Sequence, residues 1–189
     1  MAVAAHAVRV IIGVESGNEV ARLASTSKSA GSGVGWSRSG VGWSRDGRHV
    51  VIGQWCGLVS VYEADGWREV WHRQIDGVGY SGVGVRMTRC GKWIVAAALA
   101  NYMNRGERAR LMSVGGDIDT AIGPEGVCGI GVGGGGKRVV TSHRNPNRCE
   151  VSGGVGKVVN VVGSAGRLAI VDGGSGMLIV SGRDVVYVR

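Results

Sequence analysis

An all-β fold, built as an array of four-stranded antiparallel blades, is predicted by three features of the sequence. Glycine makes up 36 of the 189 residues and lies among many Val and Ile without a collagen-like period. These glycines punctuate short apolar segments, the pattern of strands joined by tight turns. A Gly-basic dipeptide also recurs, at spacings of 44 and 45 residues, with a related glycine 40 residues further on. The length suits one domain with a sizeable core, whose bulk comes from aliphatics, six Trp and four Tyr because Phe is absent.

The repeat fixes the order of the elements. Gly47-Arg48 leads into HVVIG, Gly91-Lys92 into WIVAA, Gly136-Lys137 into RVVTS, and Gly176 into MLIVSG with Met in the basic slot. An apolar segment precedes each glycine (GVGWSRDG, GVRMTRCG, GIGVGGGG, AIVDGGSG) and another follows (GLVSVYEA, RARLMSV, NRCEV, RDVVYVR). The outer segments EVARLA from Glu19, WREVWH from Trp67, DIDTAI from Asp117 and KVVNVV from Lys157 supply the remaining strand of each unit. Units of about 40 to 45 residues with several short strands are the signature of a β-propeller blade, and the repeated glycine supplies the positive φ that a tight hairpin needs. The units run over residues 17–64, 65–114, 115–152 and 153–189, with an extra strand, Val8 to Gly13, inside residues 1–16.

The stretch from Gly42 to Glu63, GWSRDGRHVVIGQWCGLVSVYE, resembles a WD-repeat blade. Ser44-Arg45-Asp46-Gly47 match the family's turn, Val50 to Gly53 its apolar strand, and Tyr62-Glu63 stand where Trp-Asp would be. The last copy carries a similar Ser-Gly-x-Asp loop at Ser181 to Asp184. No copy has the family's Gly-His or Trp-Asp dipeptide, and the third is mostly glycine. Propellers of this family usually close with seven blades. The resemblance therefore implies an incomplete propeller completed by another polypeptide, or an unusual small ring closed by Val8 to Gly13.

GVGGGGKR, Gly131 to Arg138, nearly spells a phosphate-binding loop. Such a loop needs a hydroxyl after its Lys and a helix N-terminus to hold the anion, whereas Arg138 fills the hydroxyl position and VVTSH continues as a strand. It reads as the third copy of the blade turn. The match to G-x-G-x-x-G fails for the same reason, since no βαβ unit surrounds it.

No other motif assigns chemistry. His6, His49, His72 and His143 have no metal-ligand partner at a recognised spacing, and no nucleophile elbow or triad order is present. His143 and Cys149 can approach across a hairpin, but a lone pair makes no site. Asp46, Asp65, Asp76, Asp117, Asp119, Asp172 and Asp184 lie mostly beside glycine or at turns, where Asp holds the turn through its own side chain. Trp43 reads as blade core, and the duplicated GVGWSR at Val34 and Val41 as a local slippage that lengthens a loop. No catalytic set, cofactor or metal is expected.

Charge is the remaining signal. The formal charge of +8 favours an acidic partner, and 18 of the 22 basic residues are Arg, whose planar fork suits phosphate or buried ion pairs. A G-rich, C-poor coding strand would also raise Gly, Val, Arg and Trp, so composition alone leaves the cause open. The basic clusters are Arg105, Arg108 and Arg110, and Lys137, Arg138, Arg144 and Arg148; on neighbouring units they would form one positive rim able to contact RNA phosphates or acidic protein surfaces. Cys56, Cys90, Cys128 and Cys149 contain no C-x-x-C pair, which suits free thiols in a reducing intracellular compartment. The apolar run Trp93 to Ala100 is too short to span a bilayer, and the first residues, lacking acid before Glu15, are compatible with a mitochondrial address. The expected function is a non-catalytic scaffold subunit, favoured in a ribonucleoprotein such as an organellar ribosome. Its rivals are a protein-only scaffold, and a propeller enzyme or ligand-binding module using a central channel. The expected partners are other protein subunits, one of them covering an open sheet edge, and RNA.

Overall fold

In the computed structural model, residues 2–4, 8–13, 15–24, 40–54, 57–75, 83–88, 90–98, 108–123, 125–133, 138–143, 148–153, 157–162, 168–172, 177–181 and 184–188 are described. No helix occurs among them, and every strand pairing is antiparallel. The first sheet holds β1 (Ala2–Ala4), β2 (Val8–Ile12) and β3 (Glu19–Ala24). The second holds β4 (Gly40–Trp43), β5 (His49–Gly53), β6 (Leu58–Glu63) and β7 (Glu69–Gln74). The third holds β8 (Val83–Met87), β9 (Trp93–Ala98), β10 (Ala109–Ser113) and β11 (Asp119–Ile122). The fourth is β12 (Val127–Gly133), β13 (Arg138–His143), β14 (Arg148–Gly153) and β15 (Lys157–Val162). The last is β16 (Leu168–Asp172), β17 (Met177–Ser181) and β18 (Asp184–Val188).

Hydrogen bonding cuts the chain one strand later than the sequence units do. EVARLA joins β2, WREVWH joins β6 and KVVNVV joins β14, so each is the fourth and outermost strand of a sheet rather than the first of the next. Along successive sheets β4 packs on β8, β8 on β12 and β12 on β16, which identifies these first strands as the inner ring of the array. By the same alignment the described residues of the first sheet include no inner strand and those of the last no outer one. The first and last sheets share no packed interface among the described residues, and the ring is open.

The repeated turns form as the glycine spacing predicts. Gly47 and Gly91 have φ of 71° and 70°, and their N–H groups donate to the Ser44 and Thr88 carbonyls at 3.0 and 2.9 Å. Each Ser or Thr hydroxyl also accepts the N–H five residues on, from His49 at 2.9 Å and Trp93 at 3.2 Å, closing the hairpin from both sides. Gly136 and Gly176 lie outside the described residues.

Packing explains why HVVIG and WIVAAA read as unbroken apolar runs. In a strand, alternate residues face opposite sides, and here both sides are covered. Val50 and Ile52 pack with Ile11 and Leu23 of the first sheet, whereas Val51 packs with Val83, Val85 and Ile94 of the third. The next strand repeats the device: Ile94, Ala96 and Ala98 face the second sheet, and Val95 and Ala97 join Val127, Ile130 and Val139 of the fourth. Glycine sets the approach distance, since a Cβ on Gly40 would lie 2.6 Å from Val85 N and one on Gly53 2.5 Å from Val83 O.

Trp43 departs from its expected core role. It is 37% exposed and meets Trp67 edge-to-face at 5.9 Å, whereas Met87, at the equivalent pre-turn position of β8, packs on the core cluster shared by sheets two and three. Among the described residues no inner strand of the first sheet stands beside β4 as β4 stands beside β8. Trp67 holds a left-handed backbone, φ 55°, beside Gly66 at φ 73°. Its ring completes the cluster around Ile52 and Tyr62, and that burial offsets the steric cost of the conformation.

Candidate functional site

Strand order sorts the basic residues onto two rims. In each four-stranded sheet the first-to-second and third-to-fourth turns fall at one end, and the second-to-third connections fall at the other. Arg108 immediately precedes β10 and Arg148 begins β14, both third strands, so they share one rim. Arg138 begins β13 opposite Gly133 and Gly153, at the other rim. The single positive rim expected from the sequence is therefore divided. Arg105, Lys137 and Arg144 lie outside the described residues.

Two arginines of the predicted set have intramolecular partners. Arg108 is exposed, and its Nε donates to the Gly123 carbonyl at 2.6 Å. Arg110 is half-buried, with Nε 2.7 Å from Asp119 Oδ1. Asp119 Oδ2 accepts from Arg73 Nη1 at 2.6 Å, and Arg73 comes from β7 of the preceding sheet. Arg73 also donates to the Gly116 carbonyl at 3.1 Å and lies 5.8 Å from the Trp71 ring centroid, while Trp71 Nε1 donates to the Val114 carbonyl at 2.7 Å. These contacts fasten the outer strand of one blade to the outer turn of the next. Burial pushes the Asp119 carboxyl up, but the two guanidinium hydrogen bonds outweigh it and hold the group below its ordinary value. Arg110 thus fills the ion-pair role that an Arg-rich composition also allows.

Asp119 is the residue that sequence reasoning missed. Asp46 and Asp117 behave as turn residues: Asp46 accepts the Arg48 N–H at 3.1 Å, Asp117 accepts the Ser113 hydroxyl, and hydrogen bonds lower both carboxyls. Asp119 lies two residues beyond Asp117 and inside a strand. Its register partner is Met112, which makes Arg110 its diagonal neighbour on the same sheet face. That relation becomes readable once the β10–β11 pairing is known.

The other candidates have ordinary roles. Gly131 to Gly133 end β12 and Arg138 begins β13, its antiparallel partner, so a strand stands where a phosphate loop needs its helix. His143 is fully buried, with Nε2 2.8 Å from Thr141 Oγ1 and Nδ1 3.1 Å from the Glu125 carbonyl. Cys149 is the register partner of Ser142 on the adjacent strand. His72 Nδ1 lies 2.6 Å from Glu69 Oε1 at the surface. Cys90 is exposed in the turn position that Asp46 holds one blade earlier; the Thr88 hydroxyl, 3.2 Å from its sulfur, leads in drawing the thiol below its usual value. Among the described residues no group of three or more His, Cys, Asp or Glu could hold a metal, and no helix is long and apolar enough to cross a membrane.

No protein-family model matches the chain, and no curated protein matches it in sequence. Solved structures do. The β-propeller domain of Cps50 (Swd1) from Myceliophteria thermophila superposes with a TM-score of 0.68 at 12% identity, over 95% of this chain and 58% of that one. A chain of a mitotic checkpoint complex superposes with a TM-score of 0.69 at 17% identity, over 98% of this chain and 58% of that one. The chain thus spans less than two thirds of the length of the structures it matches. A β-propeller fold accounts for the inner ring β4, β8, β12 and β16 and the meandering order of every sheet. The chain folds as an open array of β-propeller blades.

Proposed function

We propose that the chain is a non-catalytic scaffold subunit whose work is done by its rims and by the two sides at which the ring is open. The observation that carries this reading is the open array itself: among the described residues the end sheets have three strands each, where the three between them have four. A sheet that lacks a strand or a covering layer presents unpaired backbone groups and apolar surface, and both favour association with another chain. One of the similar structures is part of a mitotic checkpoint complex, which agrees with an interaction role.

The setting we propose is a ribonucleoprotein, with an organellar ribosome as the specific form. Its support is the charge of +8, together with Arg108 and Arg148 on one rim, where they can meet phosphates without reading bases. Arg110 favours neither this setting nor its rival, a protein-only assembly, because its charge is already used within the fold. Isolation from the native source in mild salt, with and without nuclease, separates the two. Release from its complex on digestion is the expected result, and a nuclease-resistant complex containing another blade-bearing chain would establish the protein-only assembly instead. In the first case, Arg108→Ala and Arg148→Ala should each weaken RNA binding equally across sequences and reduce the slope of log K against log salt by about one. Unchanged slopes would exclude this rim as the contact.

A further inference from the structure

Four strands form the outer edges of the four-strand positions in this array, and three of them are guarded. β3 and β7 each carry a bulge at the same place: the register passes from Ile11↔Ala21 to Ile12↔Glu19 and from Val61↔Trp71 to Tyr62↔Glu69, leaving Val20 and Val70 without partners and 55% and 40% exposed. A bulge twists an edge away from further pairing. β11 is only four residues long, and its Asp119 is bound by Arg73 and Arg110. β15 has none of these devices. It runs six residues in unbroken register with β14, from Arg148↔Val162 to Gly153↔Lys157, and its sequence KVVNVV has one charge, at the first position. Long, flat, β-branched and nearly uncharged edges are those that accept another strand.

We infer that β15 pairs antiparallel with β15 of a second copy of this chain, about a two-fold axis at Asn160. An axis normal to the sheet sets one residue opposite itself. Centred on Asn160, the register sets Val159 opposite Val161, Val158 opposite Val162, and Lys157 opposite Gly163, so apolar positions match and no like charges meet. Centring on Val159 would set Asn160 against Val158 and Lys157 against Val161. The other flat edge, β18, is excluded as a self-pairing strand by its flanks, because full-length pairing about Val186 sets Arg183 against Arg189 at both ends. Pairing at β15 joins two four-stranded sheets into one continuous sheet across the dimer. It uses an outer edge, leaves both rims and both open sides of the array uncovered, and stands independently of the scaffold reading.

Sedimentation equilibrium of the full chain tests the inference, with Asn160→Lys as the disrupting variant and Thr120→Lys on the guarded edge of β11 as the control. In its own sheet position 160 is the register partner of Glu150, so lysine there is compatible with the fold, whereas in the dimer it faces its own copy. Expected are a reversible monomer–dimer equilibrium for the wild type and for Thr120→Lys, and dimerisation weakened by about fivefold or more in Asn160→Lys. A 1:1 mixture of Asn160→Lys and Asn160→Asp should recover association as a mixed dimer, which fixes the register. A wild type that stays monomeric at all concentrations, or an Asn160→Lys dimer as tight as the wild type, overturns the inference.

Discussion

Replacing Gly53 by Ala is expected to destabilise the chain by about 2–3 kcal/mol, the range for forcing an atom into packed protein interior. The position ends β5, where the new Cβ would lie 2.5 Å from the Val83 carbonyl oxygen and 2.9 Å from Val85 Cγ1. The first of these is a backbone atom of the adjoining sheet, so no side-chain rotation relieves the clash, and the second and third sheets must separate. Separation would loosen the cluster of Val51, Val59, Val83, Val85 and Ile94, all fully buried. Gly47→Ala provides the contrast. No atom lies within 4 Å of its added Cβ, and only the φ of 71° opposes it, a cost of about 1–2 kcal/mol. Urea unfolding of both variants tests the point. A Gly53→Ala chain no less stable than Gly47→Ala would show that the sheets yield and that glycine does not set their spacing.

That contrast also explains what was legible in the sequence. Turn glycines such as Gly47 and Gly91 recur at fixed spacing because a local backbone requirement recurs, so the hairpins that they close could be read directly. Packing glycines such as Gly40 and Gly53 answer to a neighbouring sheet about 30 to 45 residues further along, and nothing local marks them. The assignment of outer strands has a similar limit. Periodicity showed that WREVWH is a strand, but a strand between two repeats can hydrogen-bond with either. The link after β3 runs from 25 to 39 and the link after β7 from 75 to 82, whereas β6 and β7 are separated by a turn of five residues, 64 to 68, and the short turn decides the pairing.

The functional residues divide along the same line. Asp46 and Asp117 were readable as turn carboxylates because their partners, Arg48 and Ser113, are at most four residues away. Arg110 was readable only as a charge. Its role depends on Asp119 across a hairpin, and that of Asp119 depends on Arg73, 46 residues away in sequence. Counting arginines by cluster therefore overstated what is available to a partner, since a basic residue within a run can be committed to holding two blades together.

Asp119→Ala is expected to destabilise the chain by about 1–3 kcal/mol, because it removes two charge-assisted hydrogen bonds and leaves two half-buried guanidinium groups facing each other. Asp119→Asn should cost less, since an amide still accepts from one of them. A double-mutant cycle isolates the contact between blades. If Arg73 holds the second sheet to the third through Asp119, the costs of Arg73→Ala and Asp119→Ala should fall short of additivity by about 0.5–3 kcal/mol, whereas additive costs would mean that the carboxylate serves β10 and β11 alone. Acid provides an independent check. The folded carboxyl titrates below its unfolded value, so its contribution is complete above the ordinary carboxylate range and is lost as pH falls through the lowered folded value. Wild type should lose stability relative to Asp119→Asn over that acidic window and keep a constant advantage above it. A difference between the two that stays constant down through the window would remove the ion pair from the forces joining the blades, leaving the Trp71 to Val114 hydrogen bond and the packing of Trp71 on Gly116 to hold the outer seam.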